Sequence, residues 1–177
     1  MDKKILCSHN TQYFARITVF ARRRSFARIE RMDWKSNILT TDAEIAELLR
    51  ETKRVAVLGI KPESHAGQPA FYVPKYMQTA GCEIIPVPVY YPEVTEILGE
   101  KVFRKLSDIP GDIDMINVFR RSQDVFQHVD AIIERKPRSV WLQLGIRDDN
   151  AAERMAKAGI KVVQDLCLMV EHRALVR

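Results

Sequence analysis

Arg54-Val55-Ala56-Val57-Leu58-Gly59 decides the fold: a short, β-branched apolar run that stops at a glycine. Turn-forming residues occupy 60–68, and a helical pattern opens at Pro69 with Gly81 as its stop signal. Strand, glycine turn and helix together present backbone N–H groups and a helix N-terminus to a phosphate. Gly59 also has a plainer role, since an ordinary βα connection needs a residue that accepts its backbone angle.

The same alternation continues outward from this unit. Upstream, Thr40-Thr41-Asp42-Ala43-Glu44 is a capped helix opening, followed by Ile45, Leu48 and Leu49 at helical spacing. Downstream, strand two is predicted over 83–87, a short edge strand over 101–103, and strand four over 114–119. Strand five is expected over 139–144 and strand six over 161–164. Helices are predicted from Ser122 or Gln123 to about 135, from Asp148 or Asp149 to 157, and from about Leu166 onward. Strands alternating with helices of about ten residues imply a single α/β domain with a Rossmann-like, doubly wound parallel sheet. Right-handed crossovers favour the strand order 3-2-1-4-5-6, with a ligand crevice between the ends of strands one and four.

Charge divides the chain. Its 177 residues carry a formal net charge of +5, but residues 1–31 hold eight of the 28 basic and only two of the 23 acidic residues. The body, 32–177, is left with 20 basic against 21 acidic residues, so the general argument for nucleic-acid binding by the folded domain falls away. The basic leader reads as a transit-like segment, a tail that touches RNA or membrane, or an upstream extension without function. The last is the expectation, with Met32 as a natural start and residues 1–31 poorly ordered or loosely helical. No run approaches the roughly 18 apolar residues of a membrane helix. Cys7, Cys82 and Cys167 are odd in number and lack metal-ligand spacing, so a reducing cytoplasm is expected and no metal.

Candidate site residues gather at strand ends. Lys61, Ser64, His65 and Gln68 are the first loop's candidate phosphate donors. The end of strand two, Val87-Pro88-Val89-Tyr90-Tyr91, has no acid before Glu93, which disfavours the ribose clamp of NAD and suits an adenine face. Phe119-Arg120-Arg121 ends strand four with two guanidinium groups beside a ring, fit for a phosphorylated purine ligand, or for a salt bridge to Asp124. Gly145 after Trp141-Leu142-Gln143-Leu144 would let backbone approach a ligand, while Trp141 reads as core. Cys167 and His172 are five apart along a helix, a poor match for a nucleophile and its base. No catalytic set is recognised.

Taken together, these segments resemble the small stand-alone CoA-binding proteins, which are similar to the nucleotide-binding N-terminal domain of the succinyl-CoA synthetase α subunit. The resemblance rests on Val55–Gly59, Pro69 through Val87, Leu106–Pro110, Ile116–Arg120 with Ser122, Trp141–Gly145 and Asp165–His172, and leaves out residues 1–31. It implies a CoA or acyl-CoA binder, a module of acyl-CoA metabolism or sensing without established catalysis. By position, Gly59, Ile60 and Lys61 would face the diphosphate, and Val87 and Pro88 would border the adenosine. Phe119 and Arg120 would close the crevice; Gln143, Leu144 and Gly145 would flank the pantetheine arm. The family usually shows Gly-Ala-Ser in the first loop, a basic residue before the helix-opening proline, and Pro-Lys after strand two. Here Gly59-Ile60-Lys61, Gln68 and Pro88-Val89 stand there, which would rest the phosphate charge on Lys61 and Arg120. The alternatives are an NAD(P)-dependent oxidoreductase of the same fold and an acyl-transfer enzyme with Cys167 as nucleophile. A homo-oligomer or an acyl-CoA enzyme is the expected protein partner.

Overall fold

The computed structural model describes residues 33–176. The leader over 1–31, Cys7 and the start expected at Met32 lie outside the described residues.

Five strands form one parallel sheet: β1 (Arg54–Leu58), β2 (Glu83–Val87), β5 (Met115–Val118), β6 (Ser139–Leu142) and β7 (Lys161–Val163), in the order β2-β1-β5-β6-β7. Strand alternation explains the two layers. On one face Val55, Val57, Met115, Trp141 and Val163 meet helices α1 (Asp42–Glu51), α2 (Pro69–Thr79) and α6 (Leu168–Leu175). On the other, Ala56, Leu58, Ile116, Val118, Val140 and Leu142 meet α4 (Val129–Arg135) and α5 (Asp149–Lys157). Both faces are covered, which is why these strands read as unbroken apolar runs. Trp141 is fully buried and donates its indole N–H to the Leu166 carbonyl at 2.7 Å. Truncating such a side chain to alanine costs about 3–5 kcal/mol.

The caps follow the sequence. Thr41 and Glu44 form a reciprocal capping box on α1, and Asp148 accepts from Ala151 N–H at 3.0 Å to open α5. The stretch 122–135 differs from its expected single helix. It runs as a short α3 (Ser122–Val125), a 3-10 turn over Phe126–His128, and then α4.

The third strand position also differs. Residues 101–103 do not add a full strand beyond β2. Instead β3 (Glu96–Ile97) and β4 (Glu100–Lys101) form a two-residue-turn hairpin, and Phe103 N–H gives the Pro86 carbonyl one bond of 2.9 Å. At the hairpin tip Leu98 and Gly99 both have positive φ, the pairing of a type I′ turn. Leucine is a poor residue for that conformation. It is held there by tertiary contacts: its N–H donates to the Glu63 carboxylate at 2.7 Å and its carbonyl accepts from Gln78 at 3.0 Å. At the opposite edge, Leu39 N–H bonds the Val162 carbonyl, so a short piece of the chain before α1 covers β7.

Candidate functional site

The carboxyl ends of β1, β5 and β6 are neighbours in one sheet, so Gly59, Phe119 and Gly145 stand along one edge of the molecule. Gly59 has φ +89°, and a Cβ built on it would lie 2.3 Å from the Phe119 carbonyl oxygen. Its lack of a side chain therefore lets the β1 and β5 tips touch. Gly145 is different: φ is +80° and nothing lies within 4 Å of a built Cβ, so its backbone is open to an incoming molecule. The Gly145 N–H itself is held by the Asp165 carboxylate at 2.6 Å.

The first loop keeps few donors free. Gly59 N–H bonds the Val87 carbonyl and Lys61 N–H bonds the Ala70 carbonyl. The second bond has a covalent cause. Pro74, inside α2, has no N–H to give the carbonyl four residues before it, and Lys61 takes the vacancy. Among these three residues only the Ile60 amide has no partner in the described residues, and the Ile60 side chain is buried. The Lys61 ammonium bonds the Gln68 side chain, so one charged loop residue sits against the mouth of α2. Two further loop residues reach the segment that follows β2: Glu63 contacts Leu98, and the His65 Nε2 lies 3.3 Å from the Tyr91 hydroxyl. Tyr91 has φ +66°, a conformation a tyrosine adopts only under tertiary constraint.

Arg120 is the central charge. Its side chain is only 9 % exposed and its Nε is buried without a partner. Its carboxylate, Asp124, lies at 3.5 Å but is bonded more closely to Arg121, at 2.7 Å. One acid thus serves two guanidinium groups. That Arg121 contact, more than Arg120, holds the Asp124 carboxyl below its usual range. The Arg120 guanidinium lies 5.4 Å from the ring centre of Tyr90, which is 60 % exposed. His128 sits behind this group. Burial first, and then Arg120, push its pKa down, and its Nε2 has no partner.

Beside the β2 tip opens a cleft of about 1040 Å³, at the upper end of ordinary ligand pockets. Leu58 and Val87 line it from the sheet, Pro88, Tyr90 and Tyr91 from the segment after β2, and His128 from the start of α4. Of the residues expected from sequence, Val87 and Pro88 line this cleft, whereas Ile60, Lys61, Phe119 and Arg120 stand at the adjoining crevice. Leu144 is 68 % exposed at the β6 tip. Gln143 is buried instead: its amide N–H donates to Asn117 at 2.8 Å and its oxygen accepts from Leu168 N–H at 3.3 Å. It ties β5 and β6 to the start of α6, and its side chain is already spent. Ser64 likewise bonds its neighbour His65 at 3.0 Å. Lys105 and His128 were not among the sequence candidates, whereas Tyr91 belongs to the segment read as an adenine face. The one available signal was the basic pair Arg104-Lys105 directly after the segment read as strand three. His172 directs Nδ1 to the Tyr76 hydroxyl at 3.0 Å, so Cys167 and His172 are not paired.

The fold and sequence are shared with known proteins. The profile of the CoA binding domain family matches residues 53–173. The chain belongs to that family. It is 38 % identical over 130 residues to YneT, an uncharacterized protein of Bacillus subtilis strain 168, covering 73 % of this chain and 93 % of that one. A solved Thermus thermophilus protein, cell-free ID.343, is 36 % identical with a TM-score of 0.70, covering 77 % of this chain and 99 % of its own. A hypothetical protein from Pyrococcus horikoshii OT3 is 29 % identical, also with a TM-score of 0.70, over 78 % and 94 % of the two chains. No helix among the described residues is long and apolar enough to cross a membrane.

Chemically, the undercompensated Arg120 and the unbonded Ile60 amide could hold an anion, the apolar Val87-Pro88 shelf with Tyr90 and Tyr91 could take an aromatic ring, and the backbone at Gly145 leaves room for a slender chain.

Proposed function

We propose that the protein binds CoA or an acyl-CoA thioester along the carboxyl edge of its sheet, as a non-catalytic carrier or sensing module in acyl-CoA metabolism. In this reading the adenine base lies in the cleft beside Val87 and Pro88. The diphosphate lies against Ile60 N–H and Arg120, with Lys61 adding charge from the mouth of α2. The pantetheine arm runs over Leu144 and Gly145. The observation that carries the reading is Arg120: a nearly buried guanidinium, beside the contact of the β1 and β5 tips, whose acid is committed more closely to Arg121. A buried charge in that state gains from an anionic ligand.

The absence of an acid before the exposed Glu93 supports CoA over a nicotinamide dinucleotide, because no carboxylate follows β2 to accept the ribose hydroxyls. Calorimetric titration with CoA, acetyl-CoA and NADH tests the reading. CoA and acetyl-CoA are expected to bind and NADH to bind at least tenfold more weakly. Arg120→Ala should weaken CoA by roughly 10- to 100-fold, the range for losing a charged hydrogen bond. Equal affinity for NADH, or an indifferent Arg120→Ala, would refute it.

A further inference from the structure

The cleft is lined by several basic side chains of its own, and they are not equivalent. Arg104, Lys105, Arg135 and His128 all line it. The Arg104 guanidinium is consumed by the carbonyls of Tyr91, Pro92 and Val94, and so acts as the staple of that loop. Arg135 is bound to the carbonyls of Ile109 and Gly111. His128 is held toward its neutral form by burial and by Arg120, and its Nε2 is out of contact with solvent. Lys105 is exposed, and its ammonium has no ion-pair or hydrogen-bond partner among the described residues.

Its position along the cleft is fixed by the backbone. Phe103 N–H bonds the Pro86 carbonyl, one residue before the end of β2, so Lys105 stands near the strand tips. The two acids of the cleft, Asp112 and Glu134, belong to the other end. Arg54, the first residue of β1, bonds the carbonyls of Pro110 and Asp112, and Glu134 is in the last turn of α4. The cleft is therefore polarised, with an unspent ammonium near the mouth and the acids about two helical turns, roughly 10 Å, below His128. A dianion beside a base stacked on Val87 and Pro88 meets an unspent ammonium at the mouth, whereas the floor carries both signs, Asp112 and Glu134 beside the carbonyl-bound Arg135.

We propose that Lys105 reads a phosphate on the ribose of the ligand's adenosine, and so makes this cleft selective for 3′-phosphorylated adenosine. The assignment rests on the CoA reading above and names the residue that would discriminate CoA from dephospho-CoA.

The test is a ratio of affinities. CoA and dephospho-CoA are titrated calorimetrically into the wild-type chain, Lys105→Met and Lys105→Arg, with thermal unfolding run on each to verify the fold. The wild type is expected to prefer CoA by tenfold or more. Lys105→Met should reduce that preference about tenfold, and Lys105→Arg should keep most of it. The preference should also shrink as salt is raised, since the site is exposed. A wild type that prefers CoA equally well after Lys105→Met overturns the role of Lys105 and leaves the CoA reading standing. A wild type that binds the two ligands equally overturns the phosphate site. If neither ligand binds the wild type, the CoA reading fails, and the proposal falls with it.

Discussion

Replacing Gly59 with alanine should separate the β1 and β5 tips, and the size of the effect can be worked out in two parts. The backbone is at φ +89°, where an L-residue costs about 1–2 kcal/mol more than glycine. The new methyl group would also lie 2.3 Å from the Phe119 carbonyl oxygen, a backbone atom that cannot swing aside. Relieving that overlap requires a shift of about 1 Å between adjacent strands of the central sheet, comparable to overpacking a core at about 1–3 kcal/mol. The sum is roughly 2–5 kcal/mol. Gly145→Ala is the matched control. Its φ of +80° carries a similar backbone penalty, but its Cβ would enter open space, so about 1–2 kcal/mol is expected. For a chain of this size 1 kcal/mol moves Tm by about 2–4 °C. Differential scanning calorimetry should therefore show Gly59→Ala down by about 5–15 °C and Gly145→Ala by only a few degrees. Equal shifts for the two variants would refute the contact between strand tips, and with it the crevice built on that contact.

Two further outcomes follow from individual groups. Pro74→Ala returns a donor to the Ala70 carbonyl, so the Lys61 amide should lose its sole claim on that acceptor and exchange its hydrogen faster, while β1 amides stay protected; unchanged exchange at Lys61 would contradict the role given to Pro74. Burial lowers the pKa of both His128 and His172 below their usual value, so the unfolded chain takes up protons first as pH falls. The stability they contribute is complete above about pH 6.5 and is lost as the pH drops through their folded values; a second loss follows in the carboxylate range, where Glu44, Asp124 and Asp149 are held low by their hydrogen bonds. The urea midpoint should fall between pH 7.5 and 5.5, and fall less in His128→Gln and in His172→Gln; a flat midpoint in the wild type would contradict it.

The sheet was readable because its signals are local. An apolar run ended by Gly59, a capping box at Thr41 and Glu44, and glycine stops after helices each act within one or two turns of chain. The third strand was not readable for the opposite reason. Leu98 adopts a hairpin conformation that its own chemistry disfavours, and Glu63 and Gln78, from two other elements, hold it there. Gln143 shows the same limit at the site. Its place at a strand end suggested contact with a ligand, yet a buried Asn117 on the next strand claims its side chain. Which cation of a basic pair is free is likewise a tertiary matter: Arg104 and Lys105 are adjacent in sequence, and only the fold directs the first to the carbonyls of Tyr91, Pro92 and Val94.

The most direct measurement is the map of backbone amide shifts in the isotope-labelled protein as CoA is added. The predicted map is confined to one edge: Ile60 and Lys61, Val89 to Tyr91, Lys105, Phe119 and Arg120, and Leu144 with Gly145. Shifts clustered instead around Arg54, Asp112 and Arg138 at the amino ends of the strands, or no shifts at saturating CoA, would contradict the account.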